Sequence, residues 1–135
     1  MRKSKKASKM ECLIPKQRIK FNYFDIDIIL VPDMGEYTFT LDKAKCVFPE
    51  DWLACCFEGS REMPFGLCFR KGHTDWTVIA HECWHLFFKI LRYMGGDQGF
   101  HFEVLESEIY AYRFTDLCDS VWSAIKRIEK DIKAR

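Results

Sequence analysis

The sequence predicts an α+β chain: a small antiparallel-type sheet from the first half, packed on two long helices from the second. Three observations carry that prediction. Apolar and polar residues alternate with period two in stretches between residues 19 and 70. From Trp76 to Met94 there is no Pro or Gly, and Gly95-Gly96 follows as a stop. A second stretch without Pro or Gly runs from Glu103 to Lys133. Strands first and helices afterwards make an α+β rather than an alternating α/β arrangement.

Ile19 to Val31 reads as strand, with Asp25 and Asp27 alternating with Phe24, Ile26 and Ile28. Pro32-Asp33-Met34-Gly35 is a turn. Glu36 to Leu41 alternates again, and Lys45 to Phe48 adds a short third strand. Pro49-Glu50-Asp51 reads as the start of a helical turn through Trp52 and Cys56, and Pro64 to Arg70 as a further strand closed by Lys71-Gly72. Thr74 or Asp75 caps the first long helix. That helix is apolar on most sides, which predicts a course through the middle of the domain. Its polar residues His81, Glu82, His85, Lys89 and Arg92 form one stripe that ends in solvent-seeking cations. The last turns of the second helix, from Lys126 to Lys133, are charged and read as solvated.

At 135 residues, 48% of them hydrophobic and twelve of them Phe, the chain is long enough for one folded domain and too short for two. No apolar run has the roughly 18–20 residues that a membrane helix needs, and no apolar segment follows the basic start as a secretory signal would. Seven cysteines, an odd number without a C-x-x-C pair, argue against a disulfide framework or a cysteine-only zinc site. Packed free thiols in a reducing cytoplasm are the expectation. Charge is uneven: residues 1–20 carry eight Lys/Arg against one Glu, a net of +7, which leaves −6 for the other 115. The division expected is a basic arm over 1–18 and a single domain over 19–135. A solvated tail is favoured over a nucleic-acid contact for the arm, because no aromatic residues interleave with its cations.

The chemistry is concentrated in His81-Glu82-Cys83-Trp84-His85, an H-E-x-x-H sequence. Residues four apart share a helix face, so His81 and His85 can grip one metal ion, with Glu82 placed to hold a water that the metal activates. A catalytic zinc takes three protein ligands and keeps a fourth position for water. The natural source of the third is the second helix, whose first turns would return beside the middle of the first. Glu103, Glu106 and Glu108 are the candidates. Glu108 shares a face with Ala111, Tyr112 and Thr115, and Ala111 lets two helices approach, so Glu108 is preferred, with Glu103 second. Cys83 points away from the two histidines and should pack. Trp84, Phe87, Phe88 and Tyr93 read as core first and substrate wall second.

Thr77-Val-Ile-Ala-His-Glu-x-x-His85, followed by Glu108-Ile-Tyr-Ala111-Tyr112, resembles the small phage-encoded zinc metallopeptidases and, more distantly, the ImmA/IrrE-like peptidases. In these an H-E-x-x-H helix precedes a helix bearing E-x-x-A, whose Glu is the third zinc ligand. The resemblance covers roughly Phe65 to Leu117. It implies a minimal zincin-like, gluzincin-type α+β fold, one zinc per chain held by His81, His85 and Glu108, and a phage or mobile-element origin.

The predicted reaction is hydrolysis of a peptide bond, with Glu82 as general base and then proton donor to the leaving amine. Tyr112, one turn beyond Glu108, is a candidate oxyanion donor. Tyr110, His101 and His73 are others, and spacing does not choose among them. Asp119, Asp116 or a backbone carbonyl would orient the ligating imidazoles. Two other readings compete: a zinc-bound module that acts by binding, and a phage or mobile-element protein that grips a host target. The intact Glu82 favours the peptidase, since a structural site needs no base. The partner expected is an extended protein or peptide substrate, captured by strand addition to a sheet edge, in the cytoplasm of a host cell if the protein is phage-encoded.

Overall fold

A computed structural model of the chain describes residues 15–21, 23–33, 35–41, 44–95 and 108–134. It contains six strands and two helices in an α+β fold: β1 (Lys16–Phe21), β2 (Phe24–Val31), β3 (Tyr37–Leu41), β4 (Ala44–Phe48), β5 (Ala54–Phe57), β6 (Phe65–Arg70), α1 (Trp76–Gly95) and α2 (Glu108–Ala134). The main sheet has the order β1-β2-β6-β5, and β3 pairs with β4 in a separate hairpin.

The central pair, β2 and β6, is parallel, whereas the β1–β2 and β5–β6 pairs are antiparallel. This corrects the expected antiparallel-type sheet. Parallel neighbours need a crossover, and here the β3–β4 hairpin and β5 make it. The crossover also explains why β2 and β6 are buried on both faces. On one side Ile26, Ile28, Leu30, Phe65, Leu67 and Phe69 meet the helices. On the other, Ile29, Val31 and Cys68 meet Phe39 and Phe48 of the hairpin. The 19–31 stretch, expected as one strand, is two: Phe21 faces Phe24 across a two-residue connection. β1 begins at Lys16, inside the predicted 1–18 arm, because Lys16, Gln17 and Arg18 pair with Ile29, Ile28 and Asp27. Residues 1–14 of that arm lie outside the described residues.

Asp27 sits on the hairpin side of β2 and is only 1% exposed. Such a carboxylate needs a partner. Arg18, directly across the ladder, donates from Nε and Nη2 to its two oxygens at 2.7 and 3.1 Å. Residues 49–56, expected as a helical turn, instead form a loop followed by β5. Ala54 and Cys56 line up against Phe69 and Leu67 of β6.

Arg70 at the end of β6 holds that loop. Its side chain is buried and faces no carboxylate among the described residues. Its guanidinium donates to the carbonyl oxygens of Trp52 (2.9 Å), Pro32 (3.1 Å), Gly35 (3.0 Å) and Pro49 (2.8 Å), and lies 4.8 Å from the centre of the Phe48 ring. The planar fork of five N–H donors suits this task. It joins the turn after β2 to the loop before β5.

After β6, the His73 N–H donates to the Arg70 carbonyl at 2.9 Å, closing a turn in which Gly72 has φ of 89°. That left-handed backbone favours glycine. Asp75 then caps α1, its Oδ1 accepting from the Val78 N–H at 3.0 Å. Thr74, the other cap candidate, is buried and donates instead to Glu129 Oε2 of α2 at 3.0 Å. Helix α1 packs through Ile79, Cys83, Leu86, Phe87, Ile90 and Leu91, and α2 through Leu117, Cys118, Val121, Ala124, Ile125 and Ile128. The helices run antiparallel: Trp76 meets Trp122, Trp84 meets Phe114, and Phe87 meets Phe114 and Tyr110, with ring centres 5.2–6.4 Å apart. Contrary to expectation, α1 does not run through the middle of the domain. It lies on one face of the sheet and leaves Trp76 and Trp84 nearly half exposed. No helix among the described residues is long and apolar enough to cross a membrane.

Replacing Arg70 by Met should lower the unfolding free energy by at least about 3 kcal/mol, since buried carbonyls lose charge-assisted bonds. A urea titration should show this as a lower midpoint with an unchanged slope. Arg70→Lys should recover less than half of the loss, because an ammonium lacks the fork.

Candidate functional site

The rotation of α1 decides where its polar stripe goes. With Ile79, Cys83, Leu86 and Ile90 turned into the core, residues two positions from Ile79 and Cys83 face outward. His81 and His85 are therefore exposed, Glu82 and Lys89 are partly buried, and all four line a cavity of about 680 Å³. The opposite wall is the Arg70-held loop, Asp51, Trp52 and Leu53, followed by Ala54, Cys55 and Cys56 of β5. Side chains on a strand alternate between faces. Three consecutive strand residues can border one cavity only along the strand's edge, and β5 is the terminal strand of the sheet, paired among the described residues with β6 alone. The site is thus a cleft between a helix carrying two histidines and a sheet edge that no strand among the described residues pairs with.

Inside it, the Nε2 atoms of His81 and His85 converge to 3.2 Å, with the rings 4.8 Å apart at 74°. Two neutral imidazoles at that distance share one N–H, the tautomers deciding which donates. It is also the spacing of two ligands on a tetrahedral zinc: with Zn–N of about 2.0–2.1 Å, neighbouring nitrogens lie about 3.3 Å apart. The pair therefore fits a metal by its own geometry.

Glu82 is about half-buried. Loss of solvent pushes its carboxyl above the usual range, and the two neighbouring imidazoles pull it partly back. The Cys56 thiol across the cleft is pushed up to about 11, chiefly by burial, with Lys89 opposing and Glu82 reinforcing the shift. Cys83 packs as its helix position predicts. A hydrogen bond to Cys118, together with burial, holds it in the thiol form. None of the six cysteines among the described residues forms a disulfide.

The remaining predicted residues are not brought to this cleft. Glu108 is exposed at the start of α2 and does not line the cavity. The helix–helix register accounts for this. The part of α2 level with the histidines runs from Phe114, against Trp84, to Cys118, against Cys83. Glu108 lies six residues before Phe114, about 9 Å further along the helix axis. Among the described residues no three His, Cys, Asp or Glu side chains are grouped to hold a metal. Tyr112 is 69% exposed on the outer side of α2. Tyr110 packs edge-on against Phe87. His73 lies 3.8 Å from Asp33, away from the cleft. Asp116 is exposed, and Asp119 borders a separate small cavity with Ile19 and Arg127. His101, Glu103 and Glu106 lie outside the described residues.

The wall residues Asp51, Trp52, Leu53 and Cys56 went unnoticed in the sequence because β5 resembled a helical turn there. Of the aromatic cluster read as core first and substrate wall second, Phe87 is core, Tyr93 packs on Phe24 and Phe65, and none of the four lines the cavity. Lys89, read as solvent-seeking, is partly buried in the cleft. No family model, no curated protein and no solved structure matches the chain.

Proposed function

We propose that this chain is a zinc-dependent peptidase that hydrolyses a bond in an extended protein or peptide segment. The observation that carries the reading is the convergence of the His81 and His85 Nε2 atoms to 3.2 Å in a cleft shared with Glu82 and a sheet edge unpaired among the described residues. A structural metal site needs neither the adjacent carboxylate nor the open cleft. The likeness of the two helix motifs to small phage-encoded zinc metallopeptidases points the same way. Six cysteines without a disulfide among the described residues favour a reducing compartment, the cytoplasm of a host cell on this reading.

Bound zinc would supply an acidified water and a polarised carbonyl. The chain's own residues do the rest. His81 and His85 offer Nε2 lone pairs. Glu82 takes the proton of the attacking water and returns it to the departing nitrogen. Its partly desolvated carboxyl is matched to that two-way transfer better than a fully solvated one. The β5 edge offers backbone N–H and C=O groups to a substrate in extended form, and Trp52, Leu53 and Val78 supply apolar wall. By the likeness of the two helix motifs Glu108 would be the third ligand, although in the structure it is exposed at the start of α2 and does not line the cavity.

Metal analysis of purified protein should find one zinc per chain, and none in His81→Ala or His85→Ala. Glu108→Ala should weaken zinc binding at least tenfold; retention at full affinity would move the third ligand to another residue. Glu82→Gln should keep its zinc and lose about 10²–10⁴-fold in hydrolysis of a quenched-fluorescent peptide pool. A biological effect that survives Glu82→Gln intact would mean that the protein acts by binding.

A further inference from the structure

We infer that Lys89 makes the cleft selective for substrates that carry a carboxylate within two residues of the scissile bond. The inference rests on the peptidase reading and names its substrate class: acidic peptides, or peptides cut near their C-terminus.

Lys89 stands out among the cations of the fold. The Arg18 side chain holds Asp27, Arg70 holds four carbonyl oxygens, and Lys126 pairs with Glu129 at 3.2 Å. Lys89 is partly buried, yet among the described residues no carboxylate or carbonyl receives its ammonium. It lines the cleft together with Cys56 of the edge strand. A cation drawn part of the way out of water without a counter-charge is costly. A partner that brings a carboxylate into the cleft relieves that cost and forms a charge-assisted hydrogen bond.

Its place on the helix sets where that carboxylate must be. Lys89 follows His85 by four residues, one turn and about 6 Å along α1. In an extended peptide, side chains on the same face repeat every two residues, about 6.8 Å apart. A substrate lying along β5 with its carbonyl at the histidines therefore presents to Lys89 a group about two residues away. Either an Asp or Glu side chain or a C-terminal carboxylate meets that requirement. The other charged groups of the cleft oppose a second anion elsewhere: Glu82 lies beside the histidines, and Asp51 belongs to the loop before β5. Among the described lining residues Lys89 is thus the one Lys or Arg, and its place is fixed relative to the bond to be cut.

The test uses the full-length zinc-loaded protein and three peptide sets of matched sequence. One carries internal Asp or Glu and an amidated C-terminus, one is free of acidic side chains but keeps its C-terminal carboxylate, and one has neither. The wild type should favour the first or the second set over the third by about tenfold to a hundredfold in kcat/KM, mainly through KM. The set that wins identifies the source of the carboxylate. Lys89→Met should bring that ratio close to one with zinc content unchanged, Lys89→Arg should keep it, and Lys89→Glu should shift preference towards Lys- or Arg-containing peptides. Cleavage without an acidic preference, or a preference that persists in Lys89→Met, overturns the inference and leaves the peptidase reading standing. If nothing is cleaved, that reading fails by itself. Binding of the same three sets, followed by tryptophan fluorescence in the wild type and Lys89→Met, then decides: a Lys89-dependent preference upholds the carboxylate site, and its absence overturns it.

Discussion

The packing of Ile79, Cys83, Leu86 and Ile90 into the sheet fixes the rotation of α1, and the chemistry on the outer side of that helix follows from it. Each of these side chains is fully buried and contributes about 1.5–3 kcal/mol. Turning the helix back by one residue would exchange Cys83, Leu86 and Ile90 for Glu82, His85 and Lys89, at a cost of several kcal/mol. Under that constraint His81 and His85 have one direction available, outward and towards the sheet edge. Glu82 takes the intermediate position, close enough to the core to lose solvent and far enough from it to face the cleft. Core packing thus sets both histidines on one outward face, and the hydrogen bond between their Nε2 atoms brings the rings together.

The other wall depends on a second constraint of the same kind. Placing β2 and β6 side by side in parallel forces the intervening chain to cross one face of the sheet and return as β5. That return leaves β5 at the margin, its outer edge unpaired among the described residues, and Arg70 secures the loop that leads into it. The guanidinium that binds Trp52 and Pro49 never touches the cleft, yet it sets the position of Trp52, Leu53 and Asp51 within it. Helix, edge strand and loop are held by separate apolar and polar anchors, so the cleft is formed by the resting fold. What the fold does not supply from the described residues is a third metal donor at the histidines, because the Trp84–Phe114 and Cys83–Cys118 contacts place Glu108 further along the groove.

The helices were legible in the sequence because their signals are local: an Asp cap, freedom from Pro and Gly, and Gly95 at the end. The H-E-x-x-H pairing was legible for the same reason, since four-residue spacing on a helix fixes a shared face. The strands of the hairpin were readable to within a residue or so. Three things were not. The parallel β2–β6 pairing joins residues about forty apart, and nothing in either strand's alternation distinguishes a parallel partner from an antiparallel one. β5 is four residues long, too short for a period, and Pro49-Glu50-Asp51 before it carries a helix-start signature that the Arg70 clamp overrides. The register of α2 on α1 is set by large aromatic contacts, Trp76 on Trp122 and Phe87 on Phe114, whereas spacing within α2 says only which residues share a face. Glu108, Ala111, Tyr112 and Thr115 do share one, and it is the exposed one. The same absence of tertiary information made Lys89 look like an ordinary surface lysine.

The central claim is that His81 and His85 together hold a catalytic zinc, and X-ray absorption at the zinc edge of the metal-loaded protein tests it most directly. The account predicts two imidazole nitrogens at about 2.0–2.1 Å, the remaining donors oxygen, and one of these replaceable by an added anion or hydroxamate. A first shell without imidazole, or one closed by thiolate sulfur at about 2.3 Å with no replaceable ligand, would contradict it.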